Sequence, residues 1–213
     1  IREVETPKKN PASMRFEPQS VDEAIVAAAP DACYAALFAF VHATGADLSP
    51  VLELTERGDI DLARGVARLR GTKTAKRHVH EAIIEAWALP ALEAHLRHMM
   101  PHVRPWAGIT RYMSAWHHAK AAEAAEAPAY TLRMARHSVA VRARKAGRSF
   151  EWIAAQLGNS VYQVATVYGR FSPTTAERLA DIDAKNTGNA TFHATDRATR
   201  APPASHPRPA RPA

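Results

Sequence analysis

Apolar positions recur at helical spacing along most of the chain, interrupted by Pro and Gly at intervals that mark element ends. Ser20 and Glu23 form a capping box ahead of Ile25 and Val26, which predicts a first helix beginning at Ser20. A second follows Pro30 and Asp31: Ala32, Tyr34, Leu37, Phe38 and Val41 share a helical face, and Thr44-Gly45 supplies a glycine suited to a left-handed cap. Ser49-Pro50 restarts a short helix through Leu54, with Pro50 at its first position. From Asp59 the period changes. Val66 and Leu69 alternate with Arg68 and Arg70, Gly71-Thr72-Lys73-Thr74 makes a tight connection, and Lys76 to His80 returns, which predicts a basic β-hairpin. Residues 83–100, 109–126, 130–146, 150–157 and 174–184 then read as helices. The expected fold class is mainly α with a small antiparallel β-sheet.

The two ends differ from this middle. Residues 1–19 hold three prolines, a Lys-Lys pair and an Asn-Pro step, the pattern of a linker or arm. From 186 to 213, Pro residues stand among Ala, Arg and Ser with too few apolar groups to order a core, the pattern of a disordered tail. The domain proper is therefore expected over 20–185.

Composition narrows the class without naming a function. The chain has 213 residues, 46% hydrophobic and 23% charged, enough to bury a core without a disulfide or metal. No apolar run reaches the ~18 residues of a membrane span, so a membrane partner is not expected. The single cysteine, Cys33, has no internal partner, and the opening decapeptide has no apolar signal stretch. These point to an intracellular, cytoplasmic protein.

Charge changes the picture more. The net charge is +7, and its excess sits in two islands: residues 57–77 carry seven basic and two acidic groups, and 131–170 carry seven and one. Basic groups gathered in this way suit a polyanion, because each phosphate contact releases a counterion. Duplex DNA is the expected partner, with Arg68, Arg70, Lys76, Arg77, Arg142, Arg144, Lys145 and Arg170 as candidate contacts. Two solvated faces would give the same composition.

Two segments carry candidate chemistry. In RMARHSVAVRARKAG, Arg133, Arg136 and His137 lie one helical turn apart; a guanidinium fork fits the two non-bridging oxygens of a phosphodiester, and an imidazole can move a proton. An amphipathic helix with a solvated basic face explains the same residues. In LGNSVYQVATVYGRF, Tyr168 follows Asn159 by nine residues and precedes Gly169-Arg170. A phenol with an ordinary pKa of ~10 needs nearby cations to attack phosphorus, and Arg136 and Lys73 are the candidates. Taken alone, Tyr168 reads as a core or interface tyrosine. His95, His98 and His102 share a helical face but lack a completing Cys or carboxylate, so no metal and no cofactor is expected. Trp87, Trp106, Trp116 and Trp152 are too dispersed for a base-stacking platform.

The order TG (44–45), GTKT (71–74), RMARH (133–137), LGNS (157–160) and VYGRF (167–171) resembles the catalytic domain of the tyrosine recombinases, the phage integrase family. The resemblance implies that a tyrosine attacks a DNA phosphate, forming a 3′-phosphotyrosyl intermediate and freeing a 5′-hydroxyl, with no metal, nucleotide or small-molecule substrate, and that copies associate on the DNA. Carried over by position, Tyr168 is the nucleophile, Arg136 the second phosphate-clamping arginine and Lys73 the general acid, with His137 in support. Asn10-Pro11 resembles the linker from an upstream core-binding domain, so the chain, opening on Ile1, is expected to lie downstream of one. Three positions depart from the pattern. Asp47 stands where the first clamping arginine is expected, Arg133 replaces the histidine of His-x-x-Arg, and Asn159 replaces the histidine or tryptophan after Leu-Gly. Arg133 and Asn159 keep hydrogen-bond donors, whereas Asp47 reverses the charge; Arg57 or Arg133 is then the expected substitute cation. The leading expectation is a recombinase-type domain. Its rivals are a DNA-binding pseudo-recombinase with an architectural or regulatory role, and a helical interaction module.

Overall fold

The structure, a computed structural model, describes residues 16–70, 79–172 and 174–176. The chain divides into two compact units, 1–172 and 173–213. All the elements below belong to the first, and most of the expected arm, the hairpin tip with Lys73, Lys76 and Arg77, most of the helix at 174–184 and the tail lie outside the described residues.

Helix α2 (Ala32–Thr44) is the centre of the domain. Ten of its thirteen residues are buried, so it is apolar all round, where the sequence pattern implied one face. The Asp31 side chain caps its start by accepting from the Tyr34 amide, and Gly45 ends it at φ +69°. Around it pack α1 (Gln19–Ala27), α4 (Leu89–Leu96), α5 (Arg111–Ala124) and α6 (Leu132–Lys145). Phe38, Phe40, Leu92, Leu96 and Trp106 fill the main core. A second cluster, with Val139, Ile153, Leu157, Val164 and Tyr168, joins α6 to α7 (Phe150–Leu157) and α8 (Val161–Tyr168).

A three-stranded antiparallel sheet, β1 (Ile60–Asp61), β2 (Val66–Arg70) and β3 (Val79–Ile83), stands in the order β1-β2-β3, with Val66 opposite Ile83 and Arg70 opposite Val79. The expected mainly α fold with a small sheet is what the chain adopts.

Several boundaries move, each for a physical reason. Ser20 does not cap α1; the helix begins at Gln19 after Pro18, and the Gln19 amide bonds Glu23 instead. Helix α3 (Leu48–Leu54) starts two residues ahead of Pro50, with Asp47 at its cap position making no side-chain cap bond. The helix expected over 83–100 is instead the end of β3, a 3-10 turn (Ala86–Ala88) and α4. Gln156 explains why the return strand runs on to Ile83: its side chain accepts from the Ile83 amide and donates to the Ile83 and Thr44 carbonyls, satisfying an edge that local sequence could not. Helix α8 was not expected, although Ser160 and Gln163 make a reciprocal capping box at its start.

A polar network crosses the core. Asp22, fully buried, accepts from His42 Nδ1 at 2.6 Å, Tyr130 Oη at 2.9 Å and Arg142 Nη1 at 2.7 Å. His42 Nε2 lies 2.9 Å from His118 Nε2, and Tyr130 Oη lies 2.9 Å from Ser138 Oγ. The network joins α1, α2, α5 and α6 through charge and hydrogen bonds that leave little freedom in their relative rotation. Burial, helped by His42, holds the His118 imidazole down to about 3 from an ordinary 6.5. Above pH 6.5 both folded and unfolded forms are neutral at His118; below it only the unfolded chain takes up the proton, so stability falls as pH drops from about 6.5 toward 3. The full slope for one such proton is about 1.4 kcal/mol per pH unit. Urea midpoints measured between pH 7 and 4 are expected to fall less steeply in His118→Gln than in the wild type; parallel curves would contradict this.

Candidate active site

Two helix C-termini meet at Arg136. Its Nη1 donates to the Gly45 carbonyl at the end of α2 (2.8 Å), and its Nη2 donates to the Leu157 carbonyl at the end of α7 (2.7 Å) and to Asn159 Oδ1 (3.0 Å). A cation suits this place because both helix dipoles end there with unpaired carbonyls. The turns can close only with glycine. A Cβ on Gly45, at φ +69°, would lie 2.8 Å from Leu157 Cδ2, and one on Gly158, at φ +64°, would lie 2.5 Å from His80 Cε1. Arg136 has five N–H groups, and these bonds use three; Nε–H and one Nη1–H have no partner among the described residues.

His137, the next residue along α6, has its Nδ1 2.8 Å from Tyr168 Oη. Tyr168 is 3% exposed, and burial pushes its phenol up to about 12 although Arg136 pulls the other way. His137 is shifted down, by burial first and then by Arg133 and Arg136, which favours a neutral ring able to accept the phenol proton. The hairpin reaches the same place from the other side. His80 on β3 packs against Gly158, and Gln156 ties β3 to α7 and α2.

Beside Arg136 opens a cavity of about 740 Å³ between the start of α3, α5 and α6; Asp47, Arg111, Tyr112, Arg133 and Arg136 line it, with His118 and Tyr130 also contributing. Asp47 and Arg136 thus share one cavity, as their motif positions implied. Arg57 does not join them: its Nε and Nη1 donate to the Leu96 and Ile60 carbonyls, and it lines a different hollow with Arg97. The expectation that Arg57 substitutes for the missing arginine is corrected on that ground.

The expected DNA contacts separate into two groups. Arg70 makes a two-pronged pair with Asp59 at 2.6 and 2.8 Å, and Arg142 pairs with Asp22 and Glu85, so internal carboxylates neutralise both. These two were counted as surface charge because neither partner was visible as a partner in sequence. Arg68 and Arg170 are exposed, Arg170 lying over the Phe171 ring, Lys145 lies over the Phe16 ring, and Arg144 donates to Ser172 Oγ and the Arg148 carbonyl. Trp106 is buried, Trp116 is half exposed and His95 lies against the Pro105 carbonyl; no metal-ligand cluster occurs among the described residues. No helix among them is long and apolar enough to cross a membrane. Arg111 was not singled out in sequence, since it belongs to no motif and falls in the near-neutral stretch between the basic islands.

No protein-family model matches the sequence, and no curated protein matches it significantly. Solved structures do. The XerA recombinase superposes with a TM-score of 0.63 at 18% identity over 85% of this chain and 67% of its own. The Tn1549 transposon integrase gives 0.56 at 11% identity in a complex with circular-intermediate DNA, covering 85% of this chain and 68% of that one. In complex with transposon right-end DNA it gives 0.55 at 12%, over 87% and 68%. The fold is that of a tyrosine-recombinase catalytic domain.

That recombinase fold accounts for why residues 91 positions apart, Gly45 and Arg136, are bonded to each other. A lysine at 136 has one compact head group and cannot span two carbonyls in different helices. Arg136→Lys is therefore expected to lower folding stability by about 2 kcal/mol, within the usual ~1–3 kcal/mol for stranding buried acceptors. An unchanged urea midpoint would contradict the bridging role. Tyr168, with its folded pKa above the unfolded 10, keeps its stabilising share below pH 10 and loses it as pH rises to about 12. Tyr168→Phe should flatten the alkaline stability curve in that window, and an identical curve would count against a buried phenol.

Proposed function

We propose that this domain binds duplex DNA and breaks and rejoins a strand through Tyr168, at a rate held down by Asp47. The observation that carries the reading is the pairing of Arg136, two of whose N–H groups have no partner among the described residues, with the Tyr168 phenol, which is hydrogen-bonded to the adjacent His137 ring in a setting that favours its neutral form. Support for the partner comes from the two basic islands and from the similar Tn1549 integrase structures, both of which are complexes with DNA.

In this reading the phosphate seats against the Arg136 guanidinium, whose charge and remaining N–H groups offset the charge that accumulates on the non-bridging oxygens. Tyr168 Oη attacks phosphorus and its proton passes to His137 Nδ1. The P–O bond to the 5′-oxygen breaks as the P–O bond to tyrosine forms, and Lys73, in the sequence between β2 and β3, gives the leaving oxygen its proton. Reversal onto another 5′-hydroxyl rejoins the strand. Asn159 orients Arg136 from behind, and Arg133 holds positive charge at the cavity wall. Self-association on DNA and an upstream core-binding domain belong to the same proposal.

Asp47 sets the limit. A carboxylate ~4 Å from the phosphate would oppose it by about 4 kcal/mol at an effective dielectric of about 20, roughly a thousandfold in rate. That favours slow cleavage, and the second reading, an architectural DNA-binding pseudo-recombinase, is the limit in which cleavage vanishes. A nicked suicide duplex that traps the phosphotyrosyl adduct separates the two. Slow wild-type adduct is expected, increased at least roughly tenfold by Asp47→Asn or Asp47→Arg and abolished by Tyr168→Phe. No adduct from any variant, with DNA binding retained, would replace the enzymatic reading with the architectural one.

A further inference from the structure

The cavity that holds Asp47 contains more cation than the motif pattern accounts for. Arg136 forms its wall from α6, and Arg133 stands one turn earlier on the same helix. The third guanidinium, Arg111, enters from a different element, the first turn of α5, whose start is fixed by Thr110 Oγ1 accepting from the Met113 amide. Helix α5 packs against α3, α2 and α1, so Arg111 and Asp47 line the one cavity from two anchored elements.

The arginines of this domain divide by what they touch. Arg57, Arg70, Arg104 and Arg142 donate to internal carbonyls or carboxylates. Arg111 and Arg133 are exposed and have no hydrogen-bond or ion-pair partner among the described residues, although Asp47 lines the same cavity. Three guanidiniums against one carboxylate leave the cavity with a formal excess of two positive charges, with His118 held neutral above about pH 3. A water-accessible hollow with that balance attracts an anion despite the reversed charge at 47.

Arg136 offers two N–H groups, and a phosphodiester presents two non-bridging oxygens with several lone pairs to satisfy. We infer that Arg111 supplies the clamp lost at position 47, reaching from α5 to a DNA phosphate held in the Asp47–Arg136 cavity. The inference rests on the proposed DNA-binding function and adds to it a phosphate-binding residue outside the five motifs. The positive end of the α5 dipole reinforces the same placement.

The test is the salt dependence of duplex DNA binding, which needs no strand cleavage. Each phosphate contact contributes about 0.9 to the slope of log K against log salt. Arg111→Gln is expected to weaken binding at 50 mM salt and to flatten the slope by about 0.9, so that the wild type loses about 3.5-fold more affinity than the variant between 50 and 200 mM. Arg111→Lys should keep the slope. Arg97→Gln, an exposed arginine beside a different hollow, removes the same net charge and should leave the slope at the wild-type value. Equal slopes for wild type and Arg111→Gln would overturn the inference, as would an equal flattening by Arg97→Gln, which would mean that only net charge is being read. A wild type that fails to bind duplex DNA would overturn the proposed function itself, and this inference with it. Arg111 has no internal hydrogen bond to lose, and matched urea midpoints of the variants confirm that binding, not folding, has changed.

Discussion

The domain depends on one cation placed between two helix ends. Arg136 bonds the last carbonyls of α2 and α7, elements more than a hundred residues apart in the chain, and in doing so fixes α6 between them. Isolated, either helix end would turn to water for its orphan carbonyls. Held together by a guanidinium, the two ends place a TG turn, an LGN turn and the α6 motif within one shell. The arginine is not consumed by this work, because its fork has five donors and the bridge takes three. Structure and proposed chemistry therefore use different N–H groups of the same guanidinium, which is why a lysine is a poor substitute for both.

Beneath that shell lies the buried network around Asp22. Arg142 occupies the same face of α6 as the surrounding apolar positions, and its charge is answered by Asp22 and Glu85. Tyr130 and His118 belong to this network and also line the cavity that carries Asp47 and the three arginines. The hydrogen-bonded core network and the charged side chains of the cavity therefore meet at Tyr130 and His118.

Much of this was legible in the sequence because sterics left few alternatives. Gly45 and Gly158 are required by left-handed backbone and by close approach, and Arg136 and Tyr168 sit at fixed offsets from helix caps, so the motifs carry the geometry with them. What escaped depends on distant partners. Residues 81–83 extend the strand because Gln156, remote in sequence, satisfies Ile83 on both its amide and its carbonyl. Arg70 and Arg142 counted toward the basic islands until Asp59 and Asp22 were seen to hold them. Arg111 lies outside every motif and inside a neutral stretch, and only the packing of α5 brings it to the cavity. The missed α8 is a different failure, since its Ser160–Gln163 box was there to be read.

A lost arginine in a phosphate site can be answered by charge from an unrelated helix, provided the frame that holds the remaining clamp is intact. Here the frame is the Arg136 bridge, and the proposed answer is Arg111. The most direct test of that account is a structure of the domain bound to a nicked suicide duplex. The account predicts one phosphate within hydrogen-bonding reach of the Arg136 guanidinium, with the Arg111 guanidinium on the same phosphate and Tyr168 Oη facing phosphorus. A duplex seated on another face, with the Asp47–Arg136 cavity turned away from every phosphate, would contradict it.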